Sequence, residues 1–205
     1  MTYDLRNTEQ GRKAETVQAG SRQQIEYIRA DKRITDEGKR QQIAAVYLQA
    51  KRQLDALKAD EANKRSSQIT DLRRTLFGSP GTSDAQTAIS YRDAQERVGA
   101  LGLEDAGKAA KLLDQAELSG DEVMVKAIIQ RAIDVQWVDV ANKYIEAHPY
   151  YGAKLEELWN LDSESSEGID AIGFMNSLTF HIDKPGELSG LFDERQIEAV
   201  ANEAA

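Results

Sequence analysis

Between Thr35 and Gly78 apolar residues recur in alternating steps of four and three, at Ile43, Tyr47, Ala50, Leu54 and Leu57. That spacing is a heptad seam, and a helix is the structure that lines such residues up on one side. Thr35 is the predicted N-cap, with Asp36 and Glu37 in the first turn, where the helix dipole favours acids. The seam is interrupted where Glu61 and Lys64 fall on it, and resumes one residue out of phase at Ile69, Leu72 and Leu76. Two apolar positions per heptad cannot bury much alone, so the helix requires a partner. A thinner stripe (Ala14, Val17, Ser21, Ile25, Ile28) precedes it at helical spacing. Residues from about Thr8 to Phe77 therefore predict a long, coiled-coil-like helical hairpin. Its seam is the candidate surface for self-association.

Charge divides along the same line. Residues 1–77 carry 16 Lys and Arg against 11 Asp and Glu, a net of +5, whereas residues 78–205 carry 10 against 24, a net of −14. Such asymmetry bears on association and partners. Away from the seam, the second arm carries Arg40, Lys51, Arg52, Lys58, Arg65, Arg73 and Arg74. A positive stripe attracts phosphates, but Asp55, Asp60, Glu61 and Asp71 interrupt this one and aromatics for base stacking are nearly absent. The commoner explanation is a solvated face, or a face that docks on an acidic protein surface.

Gly78-Ser-Pro-Gly-Thr-Ser83 concentrates turn formers and marks a boundary, after which Ser83-Asp84-Ala85-Gln86 reads as a capping box. Short helices are predicted over 84–100, 104–118, 121–135, 137–147 and 153–161. Small residues (Ala109, Ala110, Ala116, Ala127, Ala132) alternate with Leu112, Leu113, Val125, Ile128 and Ile129. Small-against-large packing lets neighbouring helices approach closely, in the manner of tetratricopeptide stacks, although no repeat recurs at a fixed period. Residues 162–168 are predicted to be an acidic loop. Beyond it Leu178, Phe180 and Ile182 alternate with polar residues, a strand period. An isolated strand in a helical chain has two fates: an arm extended over its own domain, or a strand added to a partner. Residues 177–188 are thus a candidate partner-binding arm, and a last short helix is predicted from Phe192 to Ala201. The expected domains are a basic hairpin over 1–77, an acidic helical stack over 84–161, and an acidic loop, arm and short helix over 162–205.

Chemistry is sparse. There is no cysteine, which excludes disulfides, thiolate zinc sites and cysteine nucleophiles. His148 beside Pro149 suits a helix-end contact. His181 and Asp183 share a face of the predicted strand, yet no third ligand or nucleophile is tied to them by spacing. Phosphate-loop, dinucleotide, nucleophile-elbow and zinc-helix patterns are all missing. No cofactor, metal or catalytic residue is expected. Trp137, Trp159 and Tyr144 read as core residues, and Tyr150-Tyr151 as a pair exposed enough to anchor an interface. No apolar stretch approaches the roughly 18 residues of a membrane span. The expectation is a chain that is cytoplasmic at synthesis, without a membrane partner.

Three segments together resemble a class of small helical proteins of actinobacterial tailed phages and prophages. They are Ile34-Thr-Asp-Glu-Gly-Lys-Arg-Gln-Gln-Ile-Ala44 with its hairpin, Gly120-Asp-Glu122 with the helix pair that ends in Glu146-Ala-His-Pro149, and Leu178-Thr-Phe180 with Lys184-Pro-Gly-Glu-Leu188. The resemblance implies a structural or assembly protein of a phage virion, acting in the head, neck or scaffold through contacts with other subunits, its own copies included. Two further readings come from the residues: a monomeric helical-repeat adaptor that holds a peptide in a groove of residues 84–160, and a nucleic-acid-binding hairpin.

Overall fold

The structure, a computed structural model, describes residues 4–78, 85–162 and 171–203. Among these residues it is helical and contains no strand. The helices are α1 (Glu9–Ala30), α2 (Asp36–Phe77), α3 (Ala85–Gly99), α4 (Ala106–Ser119), α5 (Glu122–Asp134), α6 (Val138–Ala147), α7 (Pro149–Asp162), α8 (Ala171–Thr179) and α9 (Glu194–Asn202). The boundary turn at 79–83, the capping box opening at Ser83 and the acidic run 163–168 lie outside the described residues.

Two compact units result, and they do not follow chain order. Among the described residues, one comprises residues 4–64 and 171–203 and the other residues 65–78 and 85–162. Helix α2 supplies residues to both.

In the first unit α1 and α2 form the hairpin. Thr8 caps α1 through its hydroxyl, which accepts from the Gly11 N–H at 3.0 Å, and Thr35 caps α2 by accepting from Gly38 N–H at 3.1 Å. The arms are antiparallel. Lys39 Nζ donates to the Arg29 carbonyl at 2.8 Å near the connection, and buried Gln10 donates to Asp60 at 2.6 Å at the far end. A 3₁₀ turn, Leu5–Asn7, folds back onto α1 at Gly11. The hairpin core joins Ile25 to Ile43, Ala44, Tyr47 and Leu48, and is completed by Leu188 and Ile197 from the C-terminal segment.

That closure covers, within one chain, the seam expected to self-associate. Ile43, Tyr47, Ala50 and Leu54 are buried within this unit, and Leu57 is half-buried. The partner that two apolar positions per heptad demand is supplied here by the same chain.

The predicted strand period is also overturned. Leu178 and Thr179 end α8, Phe180 lies in the turn that follows, and Ile182 sits in an unpaired extended stretch. His181 N–H donates to the Leu178 carbonyl at 3.1 Å, so the backbone leaves α8 through a turn, and the Thr179 hydroxyl donates to the Met175 carbonyl at 3.2 Å. Three alternating residues are outweighed once those bonds form, and no sheet edge exists among the described residues to reward an extended conformation.

The second unit is a short-helix bundle built on α5, which buries Met124, Val125, Ala127, Ile128, Ile129, Ala132 and Ile133. A helix apolar on nearly all sides belongs at the centre, and α3, α4 and α6 pack directly on it. The predicted small-against-large scheme is realised by Ala109 and Ala116 of α4 and Ala127 and Ala132 of α5, against Leu113, Ile128 and Ile129. Trp137 is buried, and its indole N–H donates to the Leu103 carbonyl at 2.7 Å. Helix α7 begins at Pro149 rather than at Ala153. Pro149 forbids a helical His148 (φ −127°, ψ 67°) yet is itself favoured at a first helical position, where its missing N–H costs nothing.

Candidate functional sites

The first site is the joint between the hairpin and the C-terminal segment in the first unit. Helix α8 ends with unsatisfied carbonyls, as every helix does. The Gln18 amide of α1 reaches them, with Nε2 at 3.3, 3.2 and 2.6 Å from the carbonyl oxygens of Leu178, Thr179 and His181. Asn176 accepts from Leu5 N–H at 2.9 Å. Further on, Arg29 grips Glu187 with two hydrogen bonds of 2.7 and 2.8 Å, a fork geometry in which both charges reinforce the contact. Lys51 faces Glu194 at 3.1 Å and Arg52 faces Glu198 at 2.5 Å. Helix α9 is held in register by Asp193, which caps it by accepting from Gln196 N–H at 2.8 Å. Hydrogen bonding from Arg29 holds the Glu187 carboxyl at a pKa of about 2, far below its usual value. Between these polar contacts, Leu188 and Ile197 are buried and Ile182 packs beside them.

The joint accounts for much of the basic face. Lys51 and Arg52 meet acids of α9, while in the second unit Arg73 bridges Asp134 and Asp162, each at 2.7 Å. Those two acids sit at the C-termini of α5 and α7, where the helix dipole disfavours negative charge, and the guanidinium relieves both at once. Arg65 donates to the Leu161 carbonyl, Arg74 pairs with Asp71 at 3.1 Å, Arg40 is half-buried and Lys58 is exposed. Of that face, Lys51, Arg52 and Arg73 meet acids from other elements of the same chain. A continuous positive stripe for a phosphate backbone is absent from the described residues. Of the predicted arm, Leu178 is exposed, Phe180 is half-buried, and Ile182 packs on the hairpin core.

The second site is a groove of about 560 Å³ in the helical unit. Leu76 and Phe77 from the end of α2, with Ile129 and Leu155, give it a buried apolar floor. Glu117 of α4, Glu122 and Lys126 of α5, Tyr144 and His148 at the end of α6, and Tyr151 of α7 stand around it. His148 Nε2 lies 3.0 Å from Glu117 Oε1, and its ring packs on Tyr144 with centroids 4.3 Å apart. Burial raises the Tyr144 phenol pKa, and the neighbouring Tyr151, Glu117 and Glu122 push it further in the same direction. Tyr150 and Tyr151 meet edge to face at 5.2 Å, with Tyr150 84% exposed. The groove was not legible residue by residue. Its lining comes from five helices, and the one hint in the sequence was the tyrosine pair after Pro149.

No cluster of three or more metal-ligating side chains occurs among the described residues. His181 Nε2 does reach Asp183 Oδ1, at 3.3 Å, but both side chains are exposed on an extended surface stretch. No helix among the described residues is long and apolar enough to cross a membrane. Compared with known proteins, the chain matches no family model, no curated protein and no solved structure.

Proposed function

We propose that this chain is a non-enzymatic assembly protein that works through protein–protein contacts, and that its C-terminal arm, residues 171–203, is the element exchanged between copies. The hairpin–arm joint carries the reading. It combines a few exposed ion pairs with the two buried pins Leu188 and Ile197. Exposed ion pairs contribute about 0–1 kcal/mol each, so such an arm opens far more readily than a core helix. The hairpin of a second copy presents identical partners, and exchange of an identical element costs little. The resemblance of three segments to tailed-phage proteins supports the building of a virion as the setting of this activity.

The chain has no cysteine of its own, so the test is direct. Chains carrying Arg52→Cys and chains carrying Glu198→Cys, with different mass tags, are mixed and treated with a short bismaleimide. Covalent heterodimers are the expected product. Cross-links that form only in the doubly substituted chain, and only within it, would exclude exchange.

The groove supports a second reading, in which the helical unit is an adaptor for a partner segment. Its volume lies in the range of about 300–1,000 Å³ typical of binding pockets, and exposed Tyr150 beside it is a residue type favoured as an interface anchor.

A further inference from the structure

We infer that the groove of the helical unit receives a partner peptide carrying an apolar anchor next to a lysine or arginine. This rests on the adaptor reading above and adds the chemistry of the partner. The floor calls for an apolar side chain, since Leu76, Phe77, Ile129 and Leu155 have no polar group to offer a ligand. The rim calls for a positive neighbour. Two carboxylates, Glu117 and Glu122, stand at the groove against one cation, Lys126. Glu117 is in contact with His148, while Glu122 is exposed at the first position of α5. Tyr144 lies against the same two carboxylates: burial raises its phenol pKa, and Tyr151, Glu117 and Glu122 raise it further.

A peptide fits better than a small metabolite because the apolar surface continues past the groove. Tyr150, 84% exposed, packs edge to face on the lining residue Tyr151 at 5.2 Å. An exposed tyrosine pair beside a pocket is of a residue type favoured as an interface anchor.

Two capped peptides of equal length and identical leucine pattern, one with lysines and one with glutamates, serve as probes. Each is titrated into the isotope-labelled full chain and followed by amide chemical shifts. The expected result is saturable shifts at the groove-lining amides, with the lysine peptide about three- to fivefold tighter or more, the scale of one charge contact at an exposed rim. Glu122→Gln should remove most of that preference, and its exposed position leaves the fold unaffected. Ala147→Trp, at an exposed lining position, should block both peptides. If both peptides shift the lining amides equally, or the glutamate peptide binds tighter, the groove stands as a docking site but its cationic preference is overturned. If neither peptide shifts those amides, the adaptor reading falls with it.

Discussion

Gln136 adopts φ = 58°, the left-handed region that glycine occupies most readily. It does so because α5 ends there: Trp137 N–H bonds back to the Ala132 carbonyl at 2.9 Å, the long-range bond of a Schellman turn. Helix α4 ends the same way with the ordinary residue, Gly120 at φ = 69°, and Asp121 N–H bonded to Ala116. Gln136→Gly should therefore stabilise the helical unit by about 1 kcal/mol, the strain of a non-glycine residue in this region, measured by denaturant unfolding. Gly11 is the opposite case. A Cβ there would lie 1.9 Å from the Leu5 carbonyl oxygen, which is closer than any side chain tolerates. Gly11→Ala must push the Leu5–Asn7 turn off α1, and a loss of about 1–3 kcal/mol is expected in the same experiment. An unchanged midpoint would mean that the turn is not held against α1.

At the scale of elements, helix positions were largely legible. Thr8, Thr35, Gly120 and Asp193 are local signals that do not depend on the rest of the fold, and the helices start or stop beside them. The arm was not legible, because its conformation is decided by what it lies on. Alternation at Leu178, Phe180 and Ile182 implies a strand only if a strand partner exists. Instead the Gln18 side chain collects the carbonyls at the end of α8, and the Arg29–Glu187 pair fixes the segment beyond. That pair has a pH signature. The Glu187 carboxyl, ordinarily near 4.5, is held at about 2 in the folded chain, so its stabilisation is complete above about 4.5 and is lost as pH falls towards 2. Arg29 and Glu187 are 40% and 30% exposed, which limits the contribution. Glu187→Gln should lower the stability of the first unit by about 0.5–1 kcal/mol near neutral pH. Near pH 2 the two chains should unfold alike, and a difference that persists there would assign the effect to packing rather than to charge.

For the molecule as a whole, the charge split changes its meaning once the chain is folded. Along the sequence the halves carry +5 and −14. Residues 65–166 hold 11 Lys and Arg against 17 Asp and Glu, a net of −6, and residues 3–64 with 167–205 hold 15 against 18, a net of −3. The basic front half is distributed over both units, and each part is met by acids from the back half. Removing residues 167–205 should uncover Ile25, Ile43 and Tyr47 together with a hairpin segment of net +3 (residues 3–64). The shortened chain is expected to bind an apolar fluorescent dye and to be retained on heparin more strongly than the full chain. Equal behaviour of the two would show that the arm covers little of the hairpin.

The sequence by itself determined that this protein is helical, where most of its helices begin and end, and which residues of α5 and the hairpin are apolar enough to be buried. These are local properties of spacing and capping, and they survive whatever the chain packs against. Tertiary structure alone decided what covers the heptad seam, where the basic residues find their acids, and that a groove opens among α4, α5, α6, α7 and the end of α2. Each depends on residues far apart in the chain, such as Arg29 with Glu187 or Arg73 with Asp162, and pairings over such distances leave no periodic trace in the sequence.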